Sequence, residues 1–135
     1  MVSTFRHRLS RTAAAGVIAT FIVGSGAGAS FAETLKSGRF AGASGHAVSG
    51  SVIIEREGNR TVLRFGPDFS FDGAPDPKIA LGKAGYDPAT LMGPLKADNG
   101  GQSYDVPARL DVAAYDEVWI WCEEFAVPLA MAKIE

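Results

Sequence analysis

The stretch Tyr115-Asp116-Glu117-Val118-Trp119-Ile120-Trp121-Cys122-Glu123-Glu124-Phe125 constrains the fold more than any other part of the chain. It carries both tryptophans and the single cysteine, and its five apolar residues, Val118 to Cys122, are bounded by carboxylates on each side. A helix that short does not stand alone, whereas a run rich in β-branched and aromatic residues reads as a strand covered on both faces. Alternation puts Val118, Ile120 and Cys122 on one face and Trp119 and Trp121 on the other. In so apolar a run, packing in the core is the expected role of both tryptophans.

A chain of 135 residues, 47% of them hydrophobic, supports one domain around one core. Its charge is unevenly placed. Arg6, Arg8 and Arg11 precede every Asp and Glu, and without them ten basic residues face 15 acidic ones, a formal charge of −5. Phosphate backbones are bound by clustered Lys and Arg, so nucleic acid is excluded as a partner.

The basic Arg6-to-Arg11 segment is followed by an apolar run from Thr12 to Val23 and then by small residues. Ser30-Phe31-Ala32 sets small side chains at the −3 and −1 positions of a cleavage site, and Ala27-Gly28-Ala29 is an alternative. The run is shorter than the roughly 20 residues of a membrane span. Residues 1–32 therefore read as a signal peptide, loose or a detached helix in any structure. The mature domain is expected over 33–135, exported to the periplasm or the extracellular space, with no stable membrane span after cleavage.

Along that domain, Leu35 to Phe40 reads as a short strand and Ala41 to Gly45 as a glycine turn. The stretch His46 to Ile54 alternates as one half-buried strand, with Val48, Val52 and Ile54 on one face. Glu57-Gly58-Asn59 supplies a turn, and Thr61 to Phe65 the second arm of a hairpin. Asn59-Arg60-Thr61 is also a glycosylation sequon, relevant only in a glycosylating host. Lys78 to Leu81, Ser103 to Val106 and Val118 to Cys122 read as strands, with Asp87-Pro88 opening a single helical turn between the first two. Phe125 to Met131 is a last strand in which Pro128 marks an edge or a bulge. Short strands at near-regular spacing, without a long amphipathic helix, predict an all-β sandwich or barrel of antiparallel strands.

Four segments in this order resemble a known family: His46-Ala47-Val48-Ser49-Gly50-Ser51-Val52-Ile53-Ile54, Ala74-Pro75-Asp76, Gly101-Gln102-Ser103-Tyr104-Asp105-Val106-Pro107, and Tyr115-x-x-Val118-x-Ile120-Trp121-Cys122-x-x-Phe125-x-Val127. They are similar to the DM-thirteen domain, an electron-transfer DM domain. It accompanies DOMON domains in Skeletor-type animal proteins and occurs in bacteria as small exported proteins. The resemblance covers about Gly38 to Ile134, and its most specific part is Ile120-Trp121-Cys122-x-x-Phe125. It implies a β-rich fold and a redox role centred on Cys122, with Trp121, Phe125, Tyr104 and Asp76 shaping its surroundings. The chain departs from the family pattern at Pro77, where a large apolar residue is usual, and at Leu129-Ala130, where Phe-Gly is usual. Both departures bear on strand packing.

A single cysteine forms no internal disulfide, and a free cysteine most often behaves as a small buried hydrophobe. Two readings follow. In the first, the protein is a redox module that acts on another exported redox or surface protein through Cys122. In the second, it is a non-catalytic binding or assembly module whose cysteine belongs to the core. A haem with two axial ligands could draw on His46 with Met92, Met131 or Cys122, but no Cys-x-x-Cys-His attachment sequence is present. His46 beside a glycine turn reads more simply as a strand-end residue. Asp68, Asp72 and Asp76 lack the alternating spacing of a calcium loop and read as turn formers, so no metal site is expected. Ser49 and His46 lack the spacing of a nucleophile elbow, so no hydrolytic triad is expected either.

Overall fold

The computed structural model describes residues 31–135. The expected leader, except for its last two residues, lies outside the described residues, and so does its expected conformation. Strand β1 (Glu33–Gly42) leads to the two-residue β2 (Val48–Ser49), then β3 (Ser51–Glu57) and β4 (Arg60–Phe65). There follow β5 (Ser70–Phe71), β6 (Pro77–Gly82), β7 (Gly93–Pro94), β8 (Gln102–Val106), β9 (Glu117–Cys122) and β10 (Val127–Ile134). Eight of these strands form one antiparallel sheet in the order β7-β6-β9-β10-β1-β3-β4-β8, and β2 and β5 pair separately. The helical segments of the described residues are two 3-10 turns, Pro88–Thr90 and Val112–Ala114. Asp87 caps the first by accepting the Ala89 N–H at 2.9 Å, as the Asp87-Pro88 pair predicts.

Of the two all-β architectures the sequence allows, the single curled sheet matches the barrel. Beyond β7 the backbone N–H groups of Lys96 and Ala97 donate to Gln102 Oε1 of β8 at 3.2 and 3.1 Å. Lys96 N–H also donates to the Tyr104 hydroxyl at 3.0 Å. Side chains thus bridge the two ends of the sheet where a backbone ladder would close a full barrel. Inside, cross-strand pairs such as Val52–Phe65 and Ile54–Leu63 are fully or almost fully buried. Phe40, Phe65 and Phe69 meet edge-on or tilted, with ring centroids 4.7–5.6 Å apart.

Two expectations need correction. The single strand expected from His46 to Ile54 is broken at Gly50, which has φ +119° and lies so close to Phe69 that a Cβ would sit 2.5 Å from its Cα. That turn sends β2 to β5 and β3 into the large sheet. The opening strand runs beyond the expected Leu35–Phe40 to Glu33–Gly42, because β1 lies between β10 and β3 and both ladders extend it. The closing strand is shifted: Phe125 and Ala126 (φ +52°) form the turn, and β10 runs from Val127 past Met131 to Ile134 along β1. Pro128 occupies a bulge, where the register shifts between Pro128 and Ala130, and β10 is an interior strand.

The turn-forming role expected of the aspartates holds for Asp68 and Asp72. Asp68 Oδ1 accepts the Ser51 N–H at 3.0 Å and the Ser51 hydroxyl at 2.7 Å. Asp72 accepts the Ala47 N–H at 2.9 Å and lies 3.0 Å from His46 Nδ1. The Ser51 N–H and hydroxyl hold the Asp68 carboxyl below its ordinary value, and the Ala47 N–H followed by His46 does the same for Asp72. Carboxyls depressed on folding stabilise the native state above their unfolded pKa of about 4, and that contribution disappears as pH falls through the lower folded value. The thermal midpoint is therefore expected to drop below about pH 4, and less steeply in a D68N/D72N variant. Identical acid limbs in scanning calorimetry would mean that these two carboxyls contribute nothing to acid unfolding.

Candidate functional site

Strand β9 carries the site because its two faces do different work. Val118, Ile120 and Cys122 point inward with 0%, 0% and 1% exposure. Cys122 ends the strand, opposite Pro77 of β6 and Val127 of β10. Its Sγ–H donates to the Pro75 carbonyl at 3.1 Å, and Pro75 itself is exposed. The thiol therefore lies one hydrogen-bonded residue below the surface.

The cover over the thiol is fastened by charge. Lys78, on β6, reaches Asp76 Oδ1 and lies 3.0 Å from Glu123 Oε2. Hydrogen bonds to Asp76 and then Glu123 hold the Lys78 ammonium above its ordinary value. The Glu123 N–H donates to the Asp76 carbonyl at 3.2 Å, and Asp76 holds a left-handed φ of +50°. The segment before β6 and the turn after β9 are thereby tied together across Cys122.

The outer face of β9 is aromatic. Expected as core, Trp119 and Trp121 are instead only half-buried on this face. Trp119 stands between Ala80 and Met131, and Trp121 between Lys78 and Pro128. Trp121 stacks on Tyr86, with centroids 4.1 Å apart and planes 5° from parallel, and meets Trp119 edge-on at 6.4 Å. Burial pushes the Tyr86 phenol above its ordinary value, with Glu123 and Asp87 adding to it.

Glycines build this arrangement. A Cβ on Gly82 would sit 2.1 Å from the Gly85 carbonyl oxygen and 2.5 Å from Trp119 Nε1, so the bare backbone at Gly82 lets the turn fold back beneath the indole. Ala84 and Gly85 take positive φ, and the turn delivers Tyr86 to Trp121. Beneath it lies Glu117, 7% exposed, whose Oε2 accepts the Gly85 N–H at 2.8 Å and the Trp119 Nε1–H at 3.0 Å. Lys133 Nζ, 3.9 Å from Glu117 Oε1, is bound to Asp116.

The residues expected around Cys122 are placed differently from one another. Trp121 adjoins it in sequence but faces outward, and Asp76 belongs to the loop above it. Phe125, in the β9–β10 turn, is 61% exposed. Tyr104 lies on β8, buried against Phe65, and its hydroxyl bonds to Gln102. His46 lies away from Cys122, just before β2 of the two-stranded β2–β5 sheet, paired with Asp72 and with its ring centroid 5.9 Å from that of Phe71. Sequence reasoning missed Lys78, Tyr86 and Glu117. The Gly82-Lys83-Ala84-Gly85-Tyr86 run, two glycines flanking a short turn before an aromatic, is the signal that could have found Tyr86.

Among the described residues, no group of three or more His, Cys, Asp or Glu could hold a metal, and no helix is long and apolar enough to cross a membrane. The fold and site define a small all-β module with one buried thiol beside an aromatic outer face. The family model described as Electron transfer DM13 matches residues 39–134, more than half of the chain, and the protein belongs to that family. No curated protein and no solved structure matches the chain.

Proposed function

We propose that the protein is an exported electron-transfer module and that Cys122 is the group through which it exchanges oxidation state with another exported protein. The position of the thiol supports this reading: Cys122 ends β9 and bonds, at 3.1 Å, to the carbonyl of Pro75, itself an exposed residue. A lone thiol changes oxidation state by exchange with a group outside the chain. Cys122, as thiolate, attacks one sulfur of a partner disulfide and forms a mixed disulfide, while the other sulfur leaves as thiolate with the bonding electron pair. A thiolate of a second exported protein, a dithiol, then attacks the Cys122 sulfur and releases the first partner as its dithiol. The donor's other thiol closes the donor's own disulfide and releases Cys122 as thiolate, so two electrons pass from the donor dithiol to the partner disulfide.

A second reading is favoured by the 1% exposure of Cys122. In it the protein is a non-catalytic binding or assembly module and the thiol is core packing, the usual behaviour of a free cysteine. Labelling with a small thiol reagent separates the two. The redox reading expects native labelling at a rate set by local opening of the segment over the thiol, well before global unfolding, and faster labelling in Lys78→Met. Labelling that waits for global unfolding in both proteins would favour the core reading.

A further inference from the structure

We propose that Trp119 is a proton-coupled one-electron donor, with Glu117 as its base and the Trp121–Tyr86 stack as the path to the surface. The proposal rests on the electron-transfer reading but not on Cys122. Three observations carry it together. Trp119 Nε1–H donates to Glu117 Oε2 at 3.0 Å, within the reach a general base needs. Glu117 is 7% exposed, so water competes little for that bond, and its other hydrogen-bonding partner, the Gly85 N–H, is also a donor. The rings of Trp119, Trp121 and Tyr86 form a continuous chain, 6.4 and then 4.1 Å between centroids, along a half-exposed face.

Electrons and protons balance in the step. One electron leaves the Trp119 indole through Trp121 and Tyr86 for an oxidised metal centre of a docked partner, and that centre is reduced by one unit. The indole radical cation left behind is far more acidic than the neutral ring, and its Nε1 proton moves to Glu117 Oε2. The products are a neutral indole radical and a protonated Glu117. An electron from a one-electron donor, with the proton returning from Glu117, restores the starting state. The charged groups near Glu117 are Lys133, 3.9 Å from Oε1, and Asp116, which holds Lys133.

Flash oxidation with tris(bipyridyl)ruthenium and a persulfate quencher, followed by transient absorption, tests the assignment on the full chain. In the native protein the neutral indole radical is expected to appear without a lasting radical-cation band. In Glu117→Gln the radical cation is expected to persist roughly a hundredfold longer. Trp119→Phe should abolish the effect of changing Glu117, because Glu117 accepts from the Trp119 indole and, among the described residues, no carboxylate accepts from the Trp121 indole. Glu124→Ala, at an exposed turn position outside the aromatic chain, should behave as the native protein. The radical kinetics are read without any exchange at the thiol, so failure of the cysteine reading leaves this one standing. Near-ultraviolet dichroism establishes that each variant is folded. Should Glu117→Gln lose its fold, a solvent deuterium effect on the native radical's formation that vanishes in Trp119→Phe supports the proposal in its place, and one that persists there overturns it. Equal radical-cation lifetimes in folded native and Glu117→Gln proteins, or no change in Trp119→Phe, would also overturn the proposal.

Discussion

Replacing Ile120 with alanine is expected to lower the unfolding free energy by about 2–5 kcal/mol, a large part of the roughly 5–15 kcal/mol typical of a domain. Ile120 is fully buried in the middle of β9, opposite Ile79 of β6 and Ala130 of β10. Its neighbours on the β10 side, Ala130 and Ala132, are already small and are held in an interior strand. They have little side chain with which to fill the cavity, so the loss is expected toward the upper part of that range. Ile120→Val, which removes one methylene, should cost about 1 kcal/mol. Glu124→Ala, at an exposed turn position, should stay within about 0.5 kcal/mol of the native protein. Equilibrium denaturation with urea checks the order. A loss below about 1 kcal/mol for Ile120→Ala would mean that the inner face of β9 is not the packed centre of the domain.

That inner face was legible from the sequence because its signal is local. Alternation alone separates Val118, Ile120 and Cys122 from the tryptophans, and the hairpin turn at Gly58 and the cap at Asp87 follow from residue chemistry within a few positions. The outer face was not legible in the same way. An apolar strand shows that both faces carry hydrophobic side chains, but it does not show what covers each one. Trp119 and Trp121 are covered in part by a turn from another strand pair, and that cover depends on the close approach at Gly82. Glu117 illustrates the same limit. Beside an apolar run a carboxylate reads as the solvated end of a strand, whereas here Gly85 and Trp119 supply the donors that let it be buried. The break at Gly50 and the bridging of the sheet ends by Gln102 and Tyr104 likewise arise from partners distant in sequence or in the sheet.

The candidate site divides along the same line. Cys122 was found from its strand and its neighbours, and Asp76 from the segment it shares with Pro75. What fastens the Pro75 segment over the thiol, the Asp76–Lys78–Glu123 cluster, joins residues more than forty positions apart in the chain. Exposed ion pairs contribute little to global stability. Their expected effect here is on local opening above Cys122, which is why Lys78→Met is paired with a labelling rate and not with a melting temperature.

The second large effect is complete loss of thiol exchange when Cys122 is replaced by serine. Serine keeps a hydroxyl donor for the Pro75 carbonyl and removes the only sulfur that can enter a disulfide. The measurement is equilibrium of the folded, full-length protein with reduced and oxidised glutathione at graded ratios, quenched with acid and read by mass spectrometry. Each exchange is balanced: the Cys122 thiol and oxidised glutathione give the protein–glutathione mixed disulfide and one reduced glutathione. A mixed disulfide at Cys122 is expected to rise and fall reversibly with the ratio while the fold is retained, and none is expected in Cys122→Ser. A thiol that stays free at every ratio in the folded protein, and reacts only in denaturant, would contradict the redox role and leave Cys122 as part of the core.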